Sequence, residues 1–597
     1  MNSNYILAVH SGHNASAALM RDGEILAAIQ EERFSRKKNH IGFPKNAINF
    51  CLKTAKISGI NLCRIAYTTK EDSGLLNKAQ VSTAFSLRDY HEYYGSRFYG
   101  RKIRNEDVVD YYRWLRDDPK FNNEEQLIDY SYLENDEMLA NPEKESLRYR
   151  KEQSKALSAF LNVPESRIEH LDHHTNHASY AYFGSPFRGK DCIVITLDGW
   201  GDGRNQTVWK VHDEHMCLLA ESGQNDIGRV YKMATLILGM RPDEHEFKVM
   251  GLAAYAKSSY IMKTFKTIEK ISKIEGMKIV ENERPRDIYA YLRNAWIDHR
   301  FDNIAGAVQY WTEELVKQLV INVHKETGIS RFVLSGGISM NVKMNKVVGE
   351  LDCVSELYIC GSGGDESLSI GGCYFMNQGS RQNKPLRDLY LGYDISDDID
   401  HFDWGVAAKK FRIEKSISHN RVAELLASGE TVAVIRGRCE FGARALGNRS
   451  ILADPSRKEA VIKINEAIKN RDFWMPFALS ILEEQHKNYI KNPKNFASPF
   501  MATAFETKPE LYKQIEAGTH PYDKTVRPQF VNSEYAPQYH SLISSFYKLT
   551  GIPALLNTSF NLHGEPIVNT ICDAVRTFEL SGLDHLLVDD QILLSKT

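Results

Sequence analysis

The sequence predicts an α/β protein, with a larger N-terminal domain on a duplicated core and a smaller α/β domain after it. Three observations carry this. Tyr5–His10, a turn at Ser11-Gly12-His13-Asn14, Ala15–Met20, the pair Asp22-Gly23 and Glu24–Gln30 read as strand, tight turn, strand, hairpin turn, strand. The pattern of strand, Gly turn and strand returns at Cys192–Leu197, Asp198–Gly203 and Thr207–Val211. From about residue 400 the chain alternates short strands and helices afresh and carries its own cluster of arginines. Each Gly turn offers backbone N–H groups to an anion, or is simply a hairpin.

The 597 residues correspond to two to four domains at roughly 100–200 residues each. Hydrophobic residues make up 42% and charged residues 25%, a balance that suits a globular protein able to bury several cores. Lys plus Arg (75) against Asp plus Glu (77) leaves a formal net charge of -2. Nucleic acid is therefore not expected as a main partner, because its binders carry a basic footprint. Nine cysteines, none in a CxxC pair, point to a reducing compartment with buried thiols. The opening Met1-Asn2-Ser3-Asn4 lacks a signal-peptide pattern, and no run of about 18 apolar residues occurs. A cytoplasmic location, with no membrane partner, is expected.

Residues 75–155, between the two copies, differ in texture. Tyr90, Tyr93, Tyr94, Phe98, Tyr99, Tyr111, Tyr112 and Trp114 are interleaved with charges at helical spacings. An inserted helical region is expected, either packed on its own aromatics or acting as a lid. Ile304, Val308, Trp311, Leu315, Leu319 and Val323 recur every three or four residues and predict a helix over 303–325. Arg331–Leu334 reads as a strand that runs into Ser335-Gly336-Gly337 and then a helix from Ile338. That arrangement favours an anion at the helix start. Loop-like composition over Gln378–Pro385 places the boundary near 380. The expected domains are 1–380 and 401–597, with 381–400 as linker.

His173 and His177 lie four residues apart, so a helix projects both from one face. Asp198 ends the repeated strand, and Asp365 sits in the turn Gly363-Gly364-Asp365-Glu366. Two imidazoles and two carboxylates make a mixed N/O set for a divalent transition metal such as Fe(II), Mn or Zn. The alternative is histidines that cap a polar helix start. His13 follows the first strand within its turn. It is suited either to taking a proton from a hydroxyl or to a backbone hydrogen bond. Farther on, Arg436, Arg438, Arg444, Arg449, Arg471 and Arg527 alternate with Gly, Ala, Leu and Phe, and Asn557-Thr558-Ser559 follow. That composition is poor for a solvated face and suits an anion pocket.

In their order along the chain these motifs resemble the antibiotic- and nodulation-type O-carbamoyltransferases, exemplified by tobramycin carbamoyltransferase. The matching segments are His13–Ala18, Gln30–Ser35, Asp172–His174 with His177-Ala178, and Lys248–Ala253. Ser335–Gly337 with Asn341 and Asn345, Arg438–Asp454, Met475–Ala478 and Asn557–Val568 complete them, so the resemblance covers nearly the whole chain. It implies a large domain similar to the catalytic subunit of tRNA threonylcarbamoyl transferase, on the duplicated fold of actin, sugar kinases and Hsp70. It also implies a small domain resembling the one that makes threonylcarbamoyl-adenylate. The implied mechanism converts carbamoyl phosphate and ATP, with Mg2+, to carbamoyl-adenylate in the small domain. The large domain then carbamoylates a small-molecule hydroxyl, with Fe(II) or another divalent metal.

Residue by residue, the resemblance assigns His173, His177, Asp198 and Asp365 to the metal and His13 to catalysis. It places Gly336, Gly337 and Asn341 at a nucleotide edge. Arg444, Arg449, Arg527, Asn557 and Ser559 fall to the carbamoyl-phosphate and nucleotide pocket. Asn14, where the family usually has Asp, and Phe247, where it often has a small residue, depart from the pattern. The aromatic, acidic insertion, with Asp89, Glu92, Glu106, Asp107, Asp110, Asp117 and Asp118, suits a cationic acceptor. It is similar to that of family members in saxitoxin biosynthesis, whose acceptor is a guanidinium alcohol such as decarbamoylsaxitoxin. A threonylcarbamoyl transferase acting on tRNA and a non-catalytic ATP-binding regulator are the alternatives. A homodimer stays open as the assembly.

Overall fold

The computed structural model describes residues 3–121, 127–378 and 383–596. The expected boundary at 380 and the first linker positions, 381–382, lie outside the described residues. The chain forms two compact units. One comprises Met1–Ser35 and Asn39–Leu386, the other Arg36–Lys38 and Arg387–Thr597. No helix among the described residues is long and apolar enough to cross a membrane.

The N-terminal unit holds two five-stranded sheets of the same topology. The first contains β1 (Tyr5–His10), β2 (Ser16–Arg21), β3 (Glu24–Gln30), β4 (Leu62–Tyr67) and β5 (Ile168–His170), in the order β3-β2-β1-β4-β5. The second contains β6 (Cys192–Gly201), β7 (Arg204–His212), β8 (His215–Ser222), β11 (Arg331–Ser335) and β12 (Glu356–Ile359); β9 (Ser272–Glu275) and β10 (Lys278–Glu281) form a separate hairpin between them. Its order, β12-β11-β6-β7-β8, is the first order repeated. In both sheets the first three strands pair antiparallel and the last two add in parallel. The two Gly turns anticipated this duplication, and the family resemblance implied that it is of the actin and sugar-kinase type.

Local chemistry accounts for the turns. Asp22 (φ 51°) and Gly23 (φ 85°) join β2 to β3, and Asp202 (φ 50°) and Gly203 (φ 77°) join β6 to β7. Two consecutive positive φ angles match the right-handed twist of the flanking strands. The second turn is therefore tighter than the sequence suggested: β6 continues past Asp198 to Gly201, with a register shift between Leu197 and Gly201. The periodic helix spans Phe301–Thr327 and ends at Gly328 in the left-handed conformation. After Gly336 the chain makes one tight turn before the helix Val342–Glu350, which Asn341 caps.

The insertion between β4 and β5 is a set of short helices, from Gly74–Lys78 to Asp136–Ala140, ending in the long helix Pro142–Leu161. Tyr90, Phe98 and Tyr111 are buried in it, and Tyr93 stacks on Phe98 at 4.9 Å. Its carboxylates meet its own cations: Glu92 meets Arg88 and Arg97, Glu106 meets Arg104, Asp110 meets Arg113, and Asp117 meets Arg116. The acidic run expected to receive a cation is thus largely neutralised internally.

The C-terminal unit is built on an eight-stranded mixed sheet: β13 (Phe411–Lys415), β14 (Val432–Ile435), β15 (Arg449–Ala453), β16 (Ala478–Leu482), β20 (Pro528–Val531), β21 (Ala554–Ser559), β22 (His585–Val588) and β23 (Ile592–Lys596). A small sheet of β17 (Ile490–Lys491), β18 (Phe505–Thr507) and β19 (Thr525–Val526) stands apart. Both faces of the large sheet are buried. Val432 and Val434 pack into one hydrophobic cluster with Leu542 and Phe546, while Ala433 and Ile435 pack into another with Ile571 and Phe578.

Candidate functional site

In the N-terminal unit, Asp172 caps the helix His173–Phe183 by accepting the Thr175 amide at 2.8 Å. Asp202 accepts the His173 amide at 2.7 Å, so this carboxylate anchors the helix start. The capped first turn projects His173 and His177 together. Asp198, on β6, and Asp365, which follows Gly364, come in from two other segments. One ligand atom from each of His173, His177, Asp198 and Asp365 lies within 4.8 Å of all the others. His173 Nε2 is 3.5 Å from Asp198 Oδ2 and 3.7 Å from Asp365 Oδ1, and His177 Nε2 is 3.6 Å from Asp365 Oδ1.

These imidazoles are buried, yet His173 Nε2 and both ring nitrogens of His177 have no hydrogen-bond partner. Burial alone would lower the pKa of His173, but the Asp365 and Asp198 carboxylates outweigh it and raise it to about 9. Burial, followed by the charge of His173, lowers His177 to about 3. Burial and the Asp198 charge push Asp365 up, against the opposing influence of His173 and His13. A protonated His173 offsets only part of the charge of two close carboxylates, and the Nε2 atoms of His173 and His177, without a hydrogen-bond partner among the described residues, converge with them. A divalent cation answers both needs, so the donor set fits one.

His13 lies half-buried in the turn between β1 and β2, and its carbonyl is 3.1 Å from His10 Nε2. The next residue, Asn14, contacts Glu366, the neighbour of Asp365, so this turn lies beside the cluster. Asn14 takes a left-handed conformation, φ 60°, one that Asn tolerates well. Its Nδ2 reaches Glu366 Oε2 at 3.4 Å. Phe247 is partly exposed and packs edge-on to His245.

The Gly336-Gly337 turn touches the same cluster. The Gly337 amide donates to Asp198 Oδ1 at 2.7 Å and so orients a ligand carboxylate. Gly336 has φ 92°, and a Cβ there would stand 2.2 Å from the Leu197 carbonyl oxygen. Asn341 caps its helix through the Met344 amide and exchanges side-chain bonds with Gln309 at 2.8 and 3.0 Å. Its amide is therefore already engaged.

The C-terminal unit gathers Lys469, Arg471 and Arg527, with Arg444 close enough to perturb the two arginines. Burial and the charge of Arg444 lower Arg471 to about 10. Burial, then Arg444 and Arg471, hold Arg527 well below the usual guanidinium range. Burial, then Arg471, does the same to Lys469. Lys469, Arg471 and Arg527 make no ion pair with a carboxylate among the described residues. Lys469 Nζ donates to Ser559 Oγ at 3.2 Å and to Asn561 Oδ1 at 2.7 Å, and Arg471 donates to Thr558 Oγ1 at 2.9 Å. A cluster of cations of this kind, with Lys469 buried and Arg444, Arg471 and Arg527 half-buried, calls for an anion.

Two of the predicted residues here are already bonded within the unit. Arg449 is fully buried and donates to the carbonyls of Arg436, Asn448, Tyr393, Gly437 and Asn569 at 2.6–3.3 Å. Its fork ties loops together and offers no free edge to a phosphate. Asn557 donates to the Ala445 carbonyl and Ser480 Oγ, leaving its Oδ1 without a partner. Sequence reasoning counted Arg471 and Thr558 in the anion pocket but missed Lys469. The pair of cations around Asn470, itself at φ 43°, is the signal that marks it.

With this geometry in place, comparison with known proteins is informative. Residues 5–374 match the family described as carbamoyltransferase N-terminus, and residues 423–596 match carbamoyltransferase C-terminus. An uncharacterised protein of Methanocaldococcus jannaschii is 32% identical over 464 residues, 71% of this chain and 73% of its own length. Nodulation protein NolNO of Sinorhizobium fredii is 28% identical over 600 residues, 98% of this chain and 79% of its own. The 3'-hydroxymethylcephem-O-carbamoyltransferase of Amycolatopsis lactamdurans is 28% identical over 350 residues, 58% of this chain and 64% of its own. The chain belongs to the nodulation- and antibiotic-type carbamoyltransferase family and is an enzyme that transfers carbamoyl groups.

Proposed function

We propose that the chain is an ATP-dependent O-carbamoyltransferase that works in two half-reactions. In the C-terminal unit, carbamoyl phosphate, ATP and water give carbamoyl-adenylate, phosphate and pyrophosphate. In the N-terminal unit, a hydroxyl of a small natural-product acceptor attacks the carbamoyl carbon and AMP leaves. The observation that carries the reading is the buried set His173, His177, Asp198 and Asp365, with orphaned nitrogens facing two carboxylates.

These four residues hold a divalent ion, Fe(II) or a similar metal. Once bound, such an ion polarises a carbonyl and offsets the charge of the adenylate. The Gly337 amide keeps Asp198 in place. His13 accepts the proton of the attacking hydroxyl as the new C–O bond forms. In the C-terminal unit, Lys469, Arg471, Arg527 and Arg444 hold the anionic groups of carbamoyl phosphate and ATP, with Ser559 and Thr558 as neutral donors. Arg449 and Asn557 support the loops around them. Mg2+ accompanies ATP.

A guanidinium-bearing alcohol of the decarbamoylsaxitoxin kind is the acceptor class proposed. The support for it is aromatic: Tyr93, Tyr94, Tyr99 and Tyr289 form a contiguous ring cluster, and such faces take up delocalised cations. The test supplies carbamoyl phosphate and ATP and measures phosphate and pyrophosphate release, then AMP and carbamoylated product with candidate acceptors. Pyrophosphate release that needs neither carbamoyl phosphate nor an acceptor would refute the scheme. His13→Ala should bind metal and form the adenylate, yet transfer about 10²–10⁴-fold more slowly in single turnover. Transfer at the wild-type rate would remove His13 as the base.

A further inference from the structure

The C-terminal unit contains a cavity whose lining includes none of Arg444, Lys469, Arg471 and Arg527. Its volume is about 410 Å3, and its wall includes His419, Arg436, Asn448, Gln538, Asp589 and Asp590. That is the size of a small-molecule site. Its place follows from topology. Arg436 directly follows β14 and Asp589 directly follows β22, two parallel neighbours, so the cavity opens at their carboxyl ends. The helices His419–Ser428 and Pro537–Thr550 both start at this rim. Helix starts carry partial positive charge, and the carboxyl ends of parallel strands are where α/β sheets take up ligands.

Arg436 gives the site its chemistry. It is only 4% exposed, and its Nε, Nη1 and Nη2 are buried without a hydrogen-bond partner. Asp590 Oδ1 lies 3.1 Å from Nη2 and 3.2 Å from His419 Nε2, but neither approach has hydrogen-bond geometry. The Tyr539 ring backs the guanidinium at 5.6 Å. A buried guanidinium with unmade hydrogen bonds is costly, and Arg436 shares the cavity wall with Asn448, Gln538 and Gln591. On the same wall Asp589 and Asp590 are consecutive carboxylates, both in left-handed backbone conformation. The cavity therefore offers cationic donors and carboxylate acceptors within one small volume.

We propose that this cavity binds a small zwitterion of the α-amino-acid class, its carboxylate toward Arg436 and the helix starts, its ammonium toward Asp589 and Asp590. A purely anionic ligand would meet the two carboxylates, and a purely cationic one would meet Arg436, so both charges are needed. Occupancy is positioned to be felt elsewhere in the unit. Arg436, Gly437 and Asn448 form the base of the loop that carries Arg444. Glu440 stiffens that loop by accepting the amides of Leu446, Asn448 and Arg449 at 2.7–3.1 Å.

The test uses the full chain, with titration calorimetry and thermal shift against the twenty standard α-amino acids. Each binder is then compared with its decarboxylated amine and its deaminated acid. At least one amino acid should bind, and both single-charge analogues should bind at least about tenfold more weakly, a loss of one decade in Kd. Arg436→Gln should abolish binding. Gln538→Trp, at an exposed helix start, should block the cavity while leaving the melting temperature unchanged. The proposal is overturned if no amino acid binds, if a single-charge analogue binds equally well, or if folded Gln538→Trp binds as wild type does.

Discussion

On the proposed scheme, single side chains separate the two half-reactions. His177→Ala should lower bound divalent metal by at least about tenfold, since it deletes one of four ligands and leaves two carboxylates under-neutralised. Elemental analysis of the purified protein checks this, and pyrophosphate release in the other unit should persist. Arg527→Ala should do the reverse: full metal content, with the carbamoyl-phosphate step slowed by roughly 10–100-fold for one lost charge-assisted bond of about 1.5–3 kcal/mol. Arg449→Ala belongs to a different class. Its guanidinium closes five carbonyls, so the expected loss is a drop in the urea midpoint of the C-terminal unit, and a variant of wild-type stability would contradict this. The convergence of His173, His177, Asp198 and Asp365 was readable in the sequence because one helical turn aligns the two histidines and because Gly turns flag the two aspartates. The anion pocket was readable only in outline. Lys469 meets Ser559 across 90 residues of chain, and its one local mark is a second cation, Arg471, two positions on.

The element that best repays measurement is the helix Lys45–Ala55, which has no side-chain cap of its own. Glu31 serves in that role from the end of β3, accepting the Asn46 amide at 3.2 Å and the Ala47 amide at 2.8 Å. Burial nevertheless raises its pKa from 4.5 to about 7, outweighing those bonds. A carboxyl whose folded pKa is raised contributes stability that is fully present below its unfolded value and is lost as pH rises through the folded one. Wild type should therefore lose up to about 3 kcal/mol from this group between pH 4.5 and 8. Glu31→Gln should flatten that part of the profile in urea titrations at pH 5 and 8; identical slopes for the two proteins would refute the assignment. Strands and the long helix followed from period and turn chemistry. So did the helical insertion; what went unread there was the pairing of its acidic residues, although Arg88, Arg104 and Arg113 lie within four residues of Glu92, Glu106 and Asp110.

At the scale of the whole molecule, each unit has its own core and its own charge problem, so each should answer to its own ligand. Calorimetry should resolve two transitions. Added divalent metal should raise one and a chelator lower it, while carbamoyl phosphate should raise the other, each by the mass-action rule for a ligand that binds only the folded form. A single transition moved equally by both additions would contradict independent cores. The duplicated topology was visible in the recurrence of strand, Gly turn and strand. The mixed order of the eight-stranded sheet was not, because its neighbours come from opposite ends of the segment, as β13 pairing with β23 illustrates.

The space beside two glycines bears on how such a site changes through descent. A Cβ on Gly201 would stand 2.3 Å from the His173 ring, and one on Gly336 would stand 2.2 Å from the Leu197 carbonyl, one residue before Asp198. The ligands are thus held partly by missing atoms. A lineage drifting toward a new metal can exchange an imidazole for a carboxylate and keep a working donor. It has no such latitude at Gly201 or Gly336, because every missense change there adds bulk where the ligands lean. In a saturation library selected for metal content, these two positions should be at least as intolerant as the histidines themselves, although neither touches the ion.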